Sequence, residues 1–364
     1  MSRSKVLRDH VRAHAENRPG VYRMLGPGGE VLYVGKSVRL RTRLLSYFRA
    51  ARGEKAAEII GHTHRIEWDH TPNEFAALLT ELRQIKRWRP LYNVEHKRDR
   101  QFCFIKVTRA AAPRLLVVGD VAGDGALYFG PFRGRTRVRE AVRELSDLLE
   151  LRDCRASTPV RFADQLEFFE EGDSPLCYRG EIGRCLAPCS RGCTQAEYLE
   201  RIDLACRFLE GDADHPIAIL RSRMNEAAAR LHFEYAATLR DRIERLTALQ
   251  RELIGLRGTR PDRALLYPVP GHDDDDRVYL IRGGTVQAEF PWPPRPEERA
   301  RSLARLREAV RHPPAASLRV QPHQAAEILL IARWFRLRPD EWARVVSPET
   351  FLEPEAFLEG RRSA

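Results

Sequence analysis

No apolar run in this 364-residue sequence approaches the ~20 residues that a bilayer-crossing helix needs, which excludes a helical membrane protein. The opening residues, Met-Ser-Arg-Ser-Lys, are polar and lead into no apolar segment, so no secretory leader is expected and the chain reads as cytosolic. Internal repeats are missing, which sets aside repeat arrays. Structural disulfides are not expected in a cytosolic chain, so the seven cysteines need another account. Five of them fall between residues 154 and 193, a density that points to a metal or cluster site. What the chain does have is a hydrophobic content of 43%, enough for packed cores, and a length that suits two or three domains.

Acidic residues are in short supply at one end only. The net charge is +11, and residues 1–100 hold 21 Lys/Arg against 11 Asp/Glu, while the other 264 residues are nearly neutral. An excess confined to one segment is the electrostatic footprint of a nucleic-acid site; its bland counterpart is a solvated arginine-rich surface.

That same segment carries the chemistry. Gly20-Val21-Tyr22, the turn Gly26-Pro27-Gly28-Gly29 and Tyr33-Val34-Gly35-Lys36 read as a β-hairpin presenting two tyrosines and a lysine. Arg43 and Tyr47 follow in a basic stretch with leucines at helical spacing. Residues 73–88 read as a helix, with Asn73 able to cap it and Pro90 to stop it, and Asn93 comes just after. Glu81 borders the apolar stripe of Phe75, Leu78, Leu82 and Ile85, where a carboxylate is costly unless it holds a metal or pairs with an arginine. Such a set suits phosphodiester cleavage: a phenol or water as base or nucleophile, a guanidinium against phosphate charge, and one carboxylate for a divalent metal.

The arrangement resembles the GIY-YIG nuclease family, and the chain beyond it narrows the likeness to the N-terminal half of UvrC proteins. Val21 and Val34 replace the isoleucines of the family name, a strand-for-strand change. The resemblance implies that Tyr33 is general base or partner of the attacking water, with Tyr22 beside it. A phenol titrates near ~10 unless positive charge is close, and Lys36 and Arg43 are the candidates to supply it. Arg43 falls on the family's phosphate-binding arginine, Glu81 on its ligand for Mg²⁺ or Mn²⁺, and Tyr47 and Asn93 on positions that orient phosphate or water. One departure is Lys97-Arg98-Asp99-Arg100-Gln101, where UvrC proteins have an acidic-lysine stretch.

Further along, residues 101–118 alternate as strand, Tyr128-Phe129-Gly130-Pro131-Phe132 leads into a helix over about 135–151, and Arg152-Asp153-Cys154 follows, a succession similar to that of UvrC proteins. Cys154, Cys177, Cys185 and Cys189 match the cysteines of UvrC proteins that carry an iron–sulfur cluster, so the resemblance implies a [4Fe–4S] centre. Four thiolates also suit tetrahedral Zn²⁺, and ligand type alone does not choose. Cys193 is an extra thiol that competes as ligand, whereas Cys103 and Cys206 read as small buried hydrophobes. Residues 194–250 read as helical throughout and form a helical hairpin. Phe233, Ala236, Ala237, Leu239 and Arg240 lie in a segment that resembles the UVR motif, through which UvrC pairs with UvrB; packing within its own chain is the alternative. Strands at 264–269, 277–282 and 285–290 surround an acidic turn, Asp273–Asp276, that reads as a solvated loop. A proline-rich linker and helices at about 297–311 and 322–336 close the sequence.

The expected fold class is α+β, divided into a GIY-YIG nuclease domain (1–100), a β/α extension (101–151), a cysteine cluster (152–193), a helical segment with the UVR motif (194–250) and a small C-terminal α+β domain (251–364). The activity implied by the resemblance is metal-dependent cleavage of damaged double-stranded DNA in nucleotide excision repair, 3′ to the lesion, with UvrB as partner and UvrA acting indirectly. A catalytically idle adaptor and a stand-alone structure-specific nuclease are the alternatives. Residues 297–364 show no RNase H-like aspartate set and no helix-hairpin-helix pair, as in short UvrC homologues with a single incision centre and in the UvrC-like part of fusions with a DEDD exonuclease.

Overall fold

In the computed structural model the described residues are 2–94, 102–165, 175–212, 214–256, 264–292, 299–311 and 322–348. The 97–101 departure and Pro293, Pro294 and Pro296 of the linker lie outside them. The fold is α+β, as expected, and the chain separates into two units: residues 1–99, 259–315 and 334–364 in one, 100–258 with 316–333 in the other. Among the described residues no helix is long and apolar enough to cross a membrane.

The first unit opens with α1 (Arg3–His14) and the hairpin β1 (Gly20–Leu25) and β2 (Val31–Ser37), paired so that Tyr22 lies opposite Gly35. Gly29, at φ +82°, supplies the left-handed residue its turn needs. After α2 (Leu40–Tyr47) and α3 (Lys55–His62), the strand β3 (Arg65–His70) pairs antiparallel with the free side of β1. The sheet order is therefore β2-β1-β3, with the first motif in the centre. Alternation along the strands sends Val21 and Val34 to one face and Tyr22 and Met24 to the other. The first face is covered by α4 (Glu74–Trp88) through Ala77 and Ile85, the second by Leu7, Val11, Leu40 and Leu44 of α1 and α2.

Helix α4 starts and stops as the sequence predicts. Asn73 caps it, its Oδ1 accepting from the Ala76 N–H at 2.9 Å, and Arg89 turns left-handed (φ 47°) just before Pro90. The buried stripe differs by one position: Leu79 is buried and Leu78 only half-buried. The reason is that α4 has two covered sides, one on the β1–β2 hairpin and one, through Phe75, on aromatic residues from the end of the chain.

In the second unit the alternating stretch 101–118 is two strands rather than one, because Ala110–Pro113 breaks the pattern. Strands β4 (Cys103–Val107), β5 (Leu115–Val118) and β6 (Leu127–Phe132) are ordered β5-β4-β6, with α5 (Arg135–Leu148) against them. The short α6 (Tyr178–Glu181) lies within the cysteine segment. Helix α7 (Gln195–Leu209) begins in a capping box of Thr194 and Glu197, α8 (His215–Ala229) has Pro216 in its first turn, and α9 (Phe233–Leu256) folds back on α8.

The chain returns to the first unit in the antiparallel sheet β7 (Ala264–Val269), β8 (Arg277–Arg282) and β9 (Thr285–Pro291), at almost the predicted bounds. Helices α10 (Arg299–Arg311), α11 (Pro322–Leu337) and α12 (Pro339–Trp342) follow. Phe75 of α4 packs against Tyr267, Tyr279 and Trp334 at ring-centroid distances of 5.1, 5.0 and 5.4 Å, and the Tyr279 O–H donates to Asn73 Oδ1 at 3.2 Å.

Candidate active site

Three tyrosines from three elements meet beside the hairpin. Tyr22 of β1, Tyr33 of β2 and Tyr47 at the end of α2 have ring centroids 6.0–6.3 Å apart. Tyr22 and Tyr47 are only 1% and 3% exposed, and their hydroxyls are 2.8 Å apart. Tyr33 is the member of the trio partly open to solvent. Gly35 makes the room: a Cβ there would lie 2.5 Å from the Tyr22 hydroxyl and 2.9 Å from Tyr33 Cε1. Gly20 has a similar function at the sheet centre, where a Cβ would lie 2.6 Å from the Asp69 carbonyl of β3. Two motif glycines are thus steric requirements, one of the tyrosine cluster and one of the sheet.

Burial dominates the electrostatics. The Tyr22 phenol is pushed up to about 12 by burial first and by Tyr33 next, against the lowering effect of Tyr47 and Arg43. Burial also raises Tyr33, with further upward pushes from Tyr47 and from the Glu81 carboxylate, and Arg43 pulls it down. Tyr47 is raised by burial and by Tyr22, again against Arg43. All three phenols therefore carry their protons at neutral pH, and Tyr33 offers a hydroxyl able to donate to or accept from a water. Arg43 is the cation common to all three, its guanidinium carbon 5.2 Å from the Tyr47 ring centre.

Tyr22, Tyr33, Arg43 and Tyr47 are thus brought together, and half-buried Glu81 of α4 is near enough for its charge to act on the Tyr33 phenol. Two other sequence candidates are placed differently. Lys36 Nζ donates to Glu74 Oε1 at 3.0 Å and is not among the main groups that shift the Tyr33 phenol. Asn93 is buried with its amide committed to the β2 backbone: Oδ1 accepts from Val34 N–H at 2.9 Å and Nδ2 donates to Val34 O at 2.8 Å. It closes the edge of the strand that carries Tyr33. Sequence reasoning did not find Glu74; no local signal distinguishes it from an ordinary first-turn acid.

In the cysteine segment, Cys154, Cys185 and Cys189 are half-buried and Cys177 is exposed. Two sulfurs face N–H donors: Arg152 Nε lies 3.1 Å from Cys154 Sγ, and the Ala187 N–H lies 3.4 Å from Cys185 Sγ. The Cys185 thiol is pushed up to about 11 by burial and by charge on Cys177, Cys189 and Cys154, so the four share one neighbourhood. Even so, among the described residues no group of three or more His, Cys, Asp or Glu side chains is arranged to hold a metal ion. The donor types suit a cluster while the sulfurs as they stand do not enclose one. Cys193 is buried, its thiol pushed up to about 11 mainly by burial; Cys103 lies fully buried in the core and Cys206 packs partly buried against it.

The α8–α9 hairpin exposes Leu231, Phe233 and Tyr235 at its tip (72, 64 and 51%). Ala236 and Ala237 are half-buried and Arg240 is exposed. Leu239 lies fully buried in the second unit's core with Leu220, Ala227 and Leu246, so it belongs to the hairpin's own packing rather than to its surface.

Residues 18–94 match the UvrC-like GIY-YIG domain, residues 102–208 the middle domain of UvrC/Cho excinucleases, and residues 217–249 the UvrB/uvrC motif. The chain is 34% identical over 277 residues to the UvrABC system protein C of Moorella thermoacetica, covering 75% of this chain and 43% of that protein. It is 32% identical over 336 residues to the UvrABC system protein C of Methanothermobacter thermautotrophicus, covering 91% of this chain and 55% of that one. The chain thus spans about half the length of the curated relatives it matches. A solved GIY-YIG N-terminal endonuclease domain of UvrC from Thermotoga maritima is 33% identical, covers 26% of this chain and 100% of that chain, and superposes with a TM-score of 0.24. With the UvrC-like GIY-YIG domain, the UvrC/Cho middle domain and the UvrB/uvrC motif following one another over residues 18–249, the chain belongs to the UvrC-like GIY-YIG proteins.

Proposed function

We propose that this chain is a metal-dependent endonuclease of the nucleotide excision repair type, cutting damaged double-stranded DNA through the site of Tyr33, Arg43 and Glu81. The observation that carries this reading is the convergence of those three groups, from β2, α2 and α4, in the segment that holds the basic excess. Arg43 meets the charge on the phosphate. Tyr33 holds and orients the attacking water, its ring fixed by buried Tyr22 and Tyr47. Glu81 would hold Mg²⁺ or Mn²⁺; a single carboxylate that leaves the remaining positions to water and phosphate oxygens suits such an ion. When bound, the ion supplies Lewis-acid stabilisation of the phosphate. Asn93 acts by positioning β2, and Lys36 by meeting a phosphate once it leaves Glu74.

By resemblance the cut falls 3′ to the lesion, and UvrB is the partner, with UvrA acting upstream. The apolar tip at Leu231, Phe233 and Tyr235 supports a partner helix there. An incision assay on end-labelled damaged duplex in Mg²⁺, with and without UvrA and UvrB, tests the reading. Cutting is expected only with both proteins, and Phe233→Ala should weaken it by about 2 kcal/mol at the contact, on the order of thirty-fold. Cutting without UvrB would make this a stand-alone nuclease, and no cutting under any condition would leave the idle adaptor.

The same reading assigns a [4Fe–4S] cluster to Cys154, Cys177, Cys185 and Cys189, supported by the shared neighbourhood and the N–H donors on two sulfurs. Anaerobically prepared protein is expected to be brown, with iron and acid-labile sulfide. Stoichiometric zinc in protein made with iron available would reassign the site to Zn²⁺, and neither metal would remove the cluster. Loss of a ligand should disturb folding of residues 150–210 before it disturbs cleavage, because binding at such sites is coupled to folding.

A further inference from the structure

Glu74, the first residue of α4, holds two cations on one oxygen. Its Oε1 accepts from Lys36 Nζ at 3.0 Å and from Arg338 Nη2 at 3.1 Å. The two differ in how firmly they are held. Lys36 sits next to motif residue Gly35 on a flexible four-carbon stem. Arg338 has its guanidinium 3.8 Å above the Trp334 ring centre; Trp334 Nε1 donates to the Tyr267 hydroxyl at 3.0 Å, and that hydroxyl donates to Glu341 at 2.7 Å. A stacked guanidinium tied through tryptophan and tyrosine into β7 is fixed, so Lys36 is the member free to leave.

We propose that Arg338 is a positioning residue for the nuclease centre: by neutralising Glu74 it releases Lys36 to a DNA phosphate. This rests on the nuclease reading and deepens it. With both cations in place the cluster has one positive charge to spare, which an entering phosphate balances. Lys36 then moves to the phosphate and Glu74 stays paired with Arg338, so no partly buried carboxylate is stranded. Without Arg338, moving Lys36 breaks the remaining pair and leaves an anion facing the phosphate. The three side chains are 24, 29 and 36% exposed, so the screened effect is modest, about two- to five-fold.

Two readouts on the full chain test this. One is the rate at which an N-hydroxysuccinimide ester acylates Lys36 without DNA, followed by mass spectrometry; the other is incision in the assay above. Arg338→Ala should slow both about two- to five-fold, and Glu74→Gln should speed acylation. The double variant should recover both rates, and Arg338→Lys should retain them. A purely structural Arg338 predicts the opposite for the pair, since removing Glu74 as well would loosen the contact further. If the double variant is no better than Arg338→Ala, or Glu74→Gln leaves Lys36 acylation at the wild-type rate, the proposal is overturned; the second arm stands even if Arg338→Ala fails to fold. Because acylation needs no cleavage, the expected acylation pattern in a protein that never cuts would reject the nuclease reading alone.

Discussion

Glu81→Gln is expected to remove incision, by roughly 10³-fold or more, in a protein that melts like the wild type. The amide keeps the shape of the side chain and loses only its charge. Glu81 is half-buried rather than part of the core, so no apolar contact is lost. Its charge is nevertheless felt at Tyr33, whose phenol it helps to raise. Undiminished cutting by the folded variant in Mg²⁺ would take Glu81 out of the site.

Phe75→Ala should be the most damaging substitution for stability, at ~3–5 kcal/mol. The ring is fully buried and has Tyr267, Tyr279 and Trp334 around it at 5.0–5.4 Å, edge-on or tilted. Truncation leaves a cavity that three stiff rings cannot collapse into, and removes the edge-to-face contacts as well. Hydrogen exchange should show α4 and the β7–β9 sheet losing protection together, because the same ring serves both. A loss below about 1 kcal/mol, or deprotection confined to α4, would mean that the C-terminal sheet is held some other way.

The sequence made some of this legible and some not, for identifiable reasons. The hairpin and its tyrosines were readable because both strands bury one face and flank a Gly/Pro turn, so alternation and turn chemistry agree. Strand β3 was not, because Ile66 is its single buried residue and its identity as a strand comes from pairing with β1. The ends of α4 were written in Asn73 and Pro90, yet its buried stripe shifted to Leu79 because a second surface covers it. Asn93 was expected to orient phosphate or water; its partner Val34 is 59 positions away, and no local pattern encodes that pairing. The same holds for Lys36 and Glu74, 38 apart, and for Glu74 and Arg338, 264 apart. Leu239 carried the periodicity of a helix face, which cannot say whether that face meets its own chain or a partner.

The hydrogen bond from Tyr279 to the cap of α4 joins residues 206 positions apart. On a ribosome adding ~5–20 residues per second, Asn73 waits roughly ten to forty seconds for that donor to be made. In the interval the segment 100–258 is synthesised and can assemble most of the second unit's core, to which Ile328 and Ala332 are added only later, while the aromatic side of α4 has nothing yet to cover Phe75. A nascent chain that stalls after α9 would hold its tyrosines and Glu81 but expose an apolar helix face beside them. This unit is thus finished late and out of order, which makes the stretch from 264 onward a timing element for the site encoded at the other end.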